Sequence, residues 1–422
     1  MINFNIGQLT AGKLNKTHHN IYLFNPTCEF AIANGSPNWQ PNSLLQKMES
    51  DLSALPLFFS GKNDFVMVDK MPSTKLIENL KQTGVEPPNF ILKTELNSNR
   101  QFIQQPKNKL LPWGWSPAAH QLLFPLKQSC SSEFCQSPVF NWKPEHREIT
   151  SRKFASEVLI NVCNATNADY LLPEALYPKI CITQTDFENA VRQWGKIMVK
   201  APWSSSGRGL QPITKTPVHQ KVWEKIMGIV KDQGYAIAEP YLNKVLDRAF
   251  LFELKKGKVR FLGISNFIAN KKGQYEGNYI NGLPVKTNKS IVEFANIAER
   301  EIRGPLIKVI ENSKMAVFYE GVFGVDTLIY TDETGKLKIN PCLEINVRHT
   351  MGLLSLQLEK LIKPAKNGMF KIFYQPGVSF YTFKKEMEKE YPLKISHSRI
   401  ESGFLALTEA AEDTLFGAYL LV

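Results

Sequence analysis

CLEINVR, residues 342–348, breaks an apolar strand with a carboxylate, an amide and a guanidinium at alternate positions. Side chains alternate across a strand, so Glu344, Asn346 and Arg348 share one face while Leu343, Ile345 and Val347 pack the other way. A second strand, GVDTLIY at 324–330, meets LKINPCLEIN (337–346) across the turn DETG and brings Asp326 to the same hairpin. Two carboxylates and an amide oxygen suit a hard cation whose shell is completed by phosphate oxygens. Arg348 continues the row and suits a phosphoryl or carboxylate oxygen. The plainer alternative is a solvated hairpin face, but here the polar residues interrupt an apolar strand and a glycine-containing return, HTMG, follows.

Upstream, the strand KIMVKAP (196–202) carries Lys200 and runs into WSSSGRGL (203–210). Gly207 and Gly209 let the backbone bend so that N–H groups converge on an oxyanion, and the hydroxyls of Ser204, Ser205 and Ser206 with Arg208 add donors. A lysine on the preceding strand acts as a point charge for phosphates. The loop is not a Walker A sequence, because the G-K-[ST] ending is absent. Next comes AEPYL (238–242), leaving the strand YAIAEPYL (235–242), with Asp247 beyond it. A hinge of this kind can read adenine and ribose; by itself it is an edge strand with a proline. Around these lie a hairpin at 248–265 and a helix at 218–232. Two helices, 290–302 and 305–313, are expected to be split by Gly304-Pro305. Thr185 with Glu188 predicts a capping box, and Phe154, Val158, Leu159 and Val162 form one helical face.

The first ~125 residues alternate short apolar strands (21–25, 64–69, 89–94) with helices (42–54 and 74–83, the latter closed by Gly84), which predicts a small doubly wound sheet. No G-x-G-x-x-G follows its first strand, which disfavours a nicotinamide-binding domain. Asn25 and Glu29 follow that strand, where open α/β sheets bind ligands, and are substrate-side candidates. LPWGWSP (111–117) predicts an interdomain packing corner, and His349 is a candidate substrate contact beside the polar row. His18-His19 reads as a solvated arm, and residues 126–149, rich in Ser and Pro, as a linker or excursion. Gly- and Asn-rich residues 266–282 predict a mobile loop beside the site. G-x-S-x-G is absent and no Ser-His-Asp arrangement is legible.

The chain has 422 residues, 43% of them hydrophobic and 21% charged, ample for a large core and incompatible with disorder. At roughly 150 residues per domain this predicts about three units. The absence of a long apolar run and of a signal-like N-terminus predicts a soluble, cytoplasmic protein. A net charge of +12 without a dense basic run interleaved with aromatics favours an anionic ligand such as ATP over nucleic acid. Cys130 and Cys135 have no second pair at zinc spacing, although His146 follows nearby, so the six cysteines read as reduced structural thiols.

In sequential order, Lys153, Lys200 with VKAPWSSSGRG, Glu239-Pro-Tyr-Leu, Asp326 and E-I-N-V-R resemble the ATP-grasp superfamily over about residues 150–355. The resemblance implies an α/β (α+β) fold: a pre-ATP-grasp-like domain at 1–125, a linker or excursion at 126–149, a small lobe at 150–240, and a large lobe with a C-terminal extension at 241–422. It implies Lys153 and Lys200 on the nucleotide phosphates under a flap at 204–209, with Arg208 beside them. Glu239, Tyr241 and Leu242 would then bind adenine and Asp247 ribose. Asp326, Glu344 and Asn346 would hold Mg²⁺, as two ions, or Mn²⁺, and Arg348 would stabilise the transferred phosphoryl group. Two departures stand out: Asp326 and Glu344 are farther apart in sequence than in many members, and Lys153 sits in S-R-K-F, so Arg152 is a candidate to share or replace its role. The implied activity is ATP-dependent ligation of a small carboxylate to an amine or thiol through an acyl phosphate, without nucleic acid or membrane partners and in a homodimer. The alternatives are a kinase on the same fold and a non-catalytic nucleotide-binding protein.

Overall fold

The computed structural model describes residues 18–166, 168–204, 207–270, 274–284 and 286–422. Ser205 and Ser206 therefore lie outside the described residues. The N-terminal sheet is parallel, with order β3-β2-β1-β4 from β1 (His19–Leu23), β2 (Phe65–Val68), β3 (Asn89–Leu92) and β4 (Lys107–Pro112). Both faces are buried: Ile21, Leu23 and Met67 point into one core, Tyr22, Phe24, Val66 and Val68 into another. Such two-sided burial explains the continuous apolar runs. Strand β4 has no apolar-run signal, because its first three residues are Lys107, Asn108 and Lys109. Lys107 is buried, and its ammonium donates to the carbonyls of Phe102 (2.5 Å), Gln105 (2.7 Å) and Ile103 (3.1 Å) around the end of helix Arg100–Gln104.

Residues 126–149 carry the short helices Ser132–Cys135 and Pro144–Ile149, and Phe134, Val139 and Ile149 are buried in the core beneath them. The next sheet is antiparallel, with order β5-β8-β6-β7 from β5 (Lys179–Cys181), β6 (Ile197–Lys200), β7 (Leu210–Ile213) and β8 (Ala236–Pro240). Helices Gln184–Trp194 and Gln220–Gln233 cover it through Phe187, Val191, Trp223 and Ile226. The capping box expected at Thr185 and Glu188 is formed two residues earlier. Thr183 accepts from Asp186 N at 3.3 Å and Asp186 accepts from Thr183 N at 2.8 Å. The two T-x-x-acid sequences overlap, and β5 ends early enough for the first to begin the helix.

The large sheet has eight antiparallel strands in the order β13-β12-β9-β10-β11-β14-β18-β17. They are β9 (Asn243–Lys255), β10 (Lys258–Ala269), β11 (Tyr275–Ile280), β12 (Gly321–Thr331), β13 (Leu337–Asn346), β14 (Gly368–Tyr374), β17 (Phe404–Ala406) and β18 (Phe416–Leu421), with β15 (Lys394–Ser396) and β16 (Arg399–Ser402) forming a separate hairpin. Helices Arg152–Thr166 and Lys289–Glu311 pack on this sheet. The second runs unbroken through Pro305, against the expected split. Its buried stripe, Ala295, Ala298, Ile302, Leu306 and Ile310, continues past the proline. Burying Leu306 and Ile310 contributes about 1.5–3 kcal/mol each, which offsets a proline cost of about 3 kcal/mol. Among the described residues no helix is long and apolar enough to cross a membrane.

The C-terminal strands share a core with the N-terminal sheet, where Phe24, Val66 and Val68 join Ile280, Phe370 and Leu420. The 111–117 corner locks this junction. Trp113 packs edge-on against Phe24 and Phe59, and its carbonyl accepts from His349 N at 2.7 Å. At Gly114 a Cβ would collide with Cys28 Sγ and come within 3.1 Å of Arg348 Cβ. Gly114→Ala is therefore expected to destabilise the protein by about 1–3 kcal/mol, the usual cost of overpacking. Urea denaturation checks it, and an unchanged midpoint would contradict this packing.

Candidate active site

Strand register puts Asp326 of β12 directly opposite Glu344 of β13. The next regular pair is Leu328 with Asn340, so residues 341–343 bulge opposite a single residue of β12. This β-bulge absorbs the extra length of the hairpin and aims the polar row into a cleft. Asp326 lies between Glu344 and Ala249 of β9. Burial raises its carboxyl pKa, and the charge of Glu344 raises it further; Arg348 and the Asn346 side chain pull it back.

Glu344 is paired with Arg152 Nη1 at 2.9 Å. Arg152 also donates Nε to the Ala201 carbonyl at 3.0 Å and Nη2 to Ser204 Oγ at 3.4 Å. Lys153, expected on the phosphates, is exposed on the first turn of the same helix. A step of one helical residue turns the side chain by about 100°, so only one of the two can face the site. The buried one is Arg152.

Asn346 Oδ1 accepts from Arg348 Nη2 at 2.8 Å, and Arg348 also donates to the His349 carbonyl at 3.1 Å. Its Nε contacts the carboxylate of Glu29, carried by helix Cys28–Asn34 of the N-terminal region. Glu29, one of the two N-terminal candidates, thus reaches the row. Asn25 clasps the backbone of Gly114, donating to its carbonyl at 2.8 Å and accepting from its N–H at 3.3 Å. His349 is packed against Phe59 and Trp113, with ring centroids at 5.1 and 5.9 Å, and burial pushes its imidazole down to about 4. It is a neutral packing residue at pH 7.

In the small sheet Lys200 and Glu239 form a buried pair at 2.5 Å. Tyr241 is exposed, its N–H bound to the Lys196 carbonyl at 3.0 Å, and Leu242 packs on the core below. Asp247 lies on β9 opposite Leu328, held by Lys244 at 2.7 Å, and burial raises its carboxyl pKa. Ser204 is buried, and the Gly209 carbonyl accepts from Ala201 N at 2.9 Å, closing the loop's base. Gly207 and Arg208 line one cleft of about 750 Å³ with Asp326, Glu344, Asn346 and Arg348.

Among the described residues no group of three or more His, Cys, Asp and Glu is placed to hold a metal ion. The Asp326, Glu344 and Asn346 set nevertheless fits a hard divalent cation that takes further oxygens from a phosphate. It offers two carboxylates and one amide oxygen, and two carboxylates brought opposite each other by the strand register repel unless a positive charge intervenes. All six cysteines are free.

One expectation fails beside the cleft. The predicted mobile loop at 266–282 is strand at 266–269 and 275–280, while 271–273 lie outside the described residues. Its asparagines are structural: Asn278, fully buried, donates to Ser265 Oγ at 2.5 Å and accepts from the Tyr275 hydroxyl, while Asn266 accepts from Arg248 Nε at 3.0 Å. Asn and Gly composition suggests turns; a buried amide network inside strands gives no periodic signal.

No protein-family model matches the sequence, and no curated protein does. Solved structures do. An ADP complex of N5-carboxyaminoimidazole synthetase from Staphylococcus aureus aligns at TM-score 0.50 and 14% identity, over 97% of this chain and 94% of that one. A biotin carboxylase–beta-gamma-ATP complex from Campylobacter jejuni aligns at 0.49 and 12%, over 95% and 86%. An L-amino acid ligase from Bacillus licheniformis aligns at 0.46 and 10%, over 96% and 94%. The fold is the ATP-grasp fold, with a small parallel α/β domain ahead of the two lobes.

The buried carboxylates give a pH prediction. An acid whose folded pKa is raised binds more protons when native, so stability falls as pH rises from the unfolded value near ~4 through the folded one. In EDTA, Asp326→Asn should therefore be more stable than the wild type at pH 7, with the advantage fading toward pH 4. Urea melts across that range check it; a variant less stable at pH 7 would contradict it.

Proposed function

We propose that this chain is an ATP-dependent ligase that joins a small carboxylate to an amine or thiol. The observation that carries the proposal is the bridge that Arg152 makes between the Glu344 carboxylate on the large sheet and the Ala201 carbonyl and Ser204 hydroxyl at the base of the Ser/Gly loop after Lys200. A triphosphate lying between the lobes would meet Lys200 on one side and the Asp326–Glu344–Asn346 set on the other. Mg²⁺, held there by those three residues, would supply charge neutralisation for the phosphates.

In the proposed reaction a carboxylate oxygen attacks the γ-phosphorus and the bond to ADP breaks, leaving an acyl phosphate. The amine nitrogen then attacks the carbonyl carbon; the C–O bond to phosphate breaks, phosphate leaves and the amine loses a proton. The protein's part is alignment and electrostatics. Lys200 binds phosphate oxygens as a point charge. Arg348, oriented by Glu29 and Asn346, presents its guanidinium to the carboxylate or the phosphoryl group. Glu239, Tyr241 and Leu242 form the hinge edge for adenine, and Asp247 suits ribose hydroxyls. Gly207 and Arg208, which line the cleft beside the carboxylate row, would cover the phosphates and exclude the water that would hydrolyse an acyl phosphate.

The test is incubation with MgATP and a pooled fraction of amino acids, polyamines and organic acids, with hydroxylamine in a parallel sample. ADP, free phosphate and hydroxamate are expected. ADP with a phosphorylated metabolite would instead indicate a kinase, and no turnover despite ATP binding a non-catalytic protein. Glu344→Gln should lower phosphate release by at least about 100-fold, the scale of losing one transition-state electrostatic contact. Lys200→Ala should weaken ATP binding about tenfold or more; the thermal midpoint is read alongside, because Glu239 loses its buried partner. Full activity in the first variant, or unchanged affinity in the second, would remove that residue from the site.

A further inference from the structure

The N-terminal sheet carries a cavity of its own. Its strand order, β3-β2-β1-β4, reverses direction beside β1, so the segments leaving β1 and β4 part and open a crevice at the carboxyl ends of the strands. Open α/β sheets bind ligands at such a point. Here the crevice is a cavity of about 590 Å³, and residues following all four strands line it: Asn25 and Thr27 after β1, Asp69 after β2, Lys93 after β3 and Ser116 after β4. Thr27 also lines the cleft of the carboxylate row, so the segment after β1 is the wall between the two spaces.

Helix Ser43–Asp51 covers the cavity. Ser43, Gln46, Lys47 and Ser50, spaced i, i+3, i+4 and i+7, turn one face to it, while Leu45 is buried and Met48 packs on the core. Glu49 sits between those faces and also lines the cavity. Its Oε1 accepts from the Thr27 hydroxyl at 2.5 Å and from Thr27 N at 3.3 Å. Among the described residues Oε2 has no hydrogen-bond partner, and no cation pairs with the carboxylate. The two lysines of the cavity are already engaged, Lys93 with Asp69 at 2.8 Å and Lys47 with Asp51 at 2.7 Å. Burial raises the Glu49 carboxyl pKa, against the pull of Thr27 and Lys93.

A half-buried carboxylate without a counter-charge is unfavourable until a cation meets it. Trp39 lines the same cavity, half-buried, and among the described residues no ring or cation lies against its face. A free carboxylate oxygen and an open indole face in one cavity suit an ammonium group, through a charge-assisted hydrogen bond and a cation–π contact. Leu23, Ala31 and Ala119 add apolar lining for the rest of such a ligand.

We propose that this cavity binds a small organic amine, its ammonium on Glu49 and Trp39 and its apolar body over Leu23, Ala31 and Ala119. Amine binding here is independent of whether the neighbouring cleft turns over ATP.

The test is a fluorine NMR titration of the full chain with 4-fluorophenethylamine and with the uncharged 2-(4-fluorophenyl)ethanol, with and without saturating MgADP. The amine should bind about tenfold more tightly than the alcohol, the scale of a hydrogen bond to a charged group, and MgADP should leave that preference unchanged. Glu49→Gln keeps an acceptor for Thr27 and should abolish the preference while leaving alcohol affinity as it was. Trp39→Leu keeps apolar bulk without the ring face and should weaken the amine about fivefold. Equal affinities in the wild type, no binding of either compound, a preference that survives Glu49→Gln, or loss of the amine on adding MgADP would overturn the proposal.

Discussion

Arg152 is the residue on which the geometry of the site depends. It is buried, and its guanidinium spends its donors on Glu344, the Ala201 carbonyl and Ser204. These three belong to β13, to the end of β6 and to the loop that follows. The Glu344 side chain is half-buried, so the pair is partly screened, but breaking it leaves the buried Arg152 guanidinium with neutral partners only, which is unfavourable. The cost of separation therefore holds two lobes in register. Glu29 and Arg348 act in the same way for the N-terminal domain, and Asn346 links the two systems through its bond to Arg348.

The bulge opposite Asp326 has the complementary role. Without it, a hairpin of this length would move Glu344 out of register with Asp326. With it, the two carboxylates are directly opposed while Ile345 and Val347 remain in the core. Burial raises the Asp326 carboxyl, and the charge of the opposed Glu344 raises it further.

The parts of this arrangement that were legible in the sequence are those where polarity contrasts with a simple period. Glu344, Asn346 and Arg348 stand out against Leu343, Ile345 and Val347, and the N-terminal strands stand out as apolar runs. Where the contrast vanished, reading failed. Lys107 disguised β4 because its charge is satisfied by carbonyls rather than solvent. At the start of helix Arg152–Thr166 two adjacent cations offered no phase, and the choice between them lies in tertiary packing. Pro305 signalled a break that a continuous apolar stripe overrides. The C-terminal segment gave little because β14 buries Phe370 toward one core and Phe373 toward another, which erases the alternation. Yet Ile372, Tyr374 and Phe416 of that segment line the cleft.

The central claim is that Lys200 with Glu239 and the Asp326–Glu344–Asn346 set are two sides of one nucleotide site. A crystal structure with Mg²⁺ and a non-hydrolysable ATP analogue tests it most directly. The account predicts the terminal phosphates between Lys200 and those three residues, with adenine along 239–242. Nucleotide bound in any other cleft, or with its phosphates pointing away from Glu344, would contradict it.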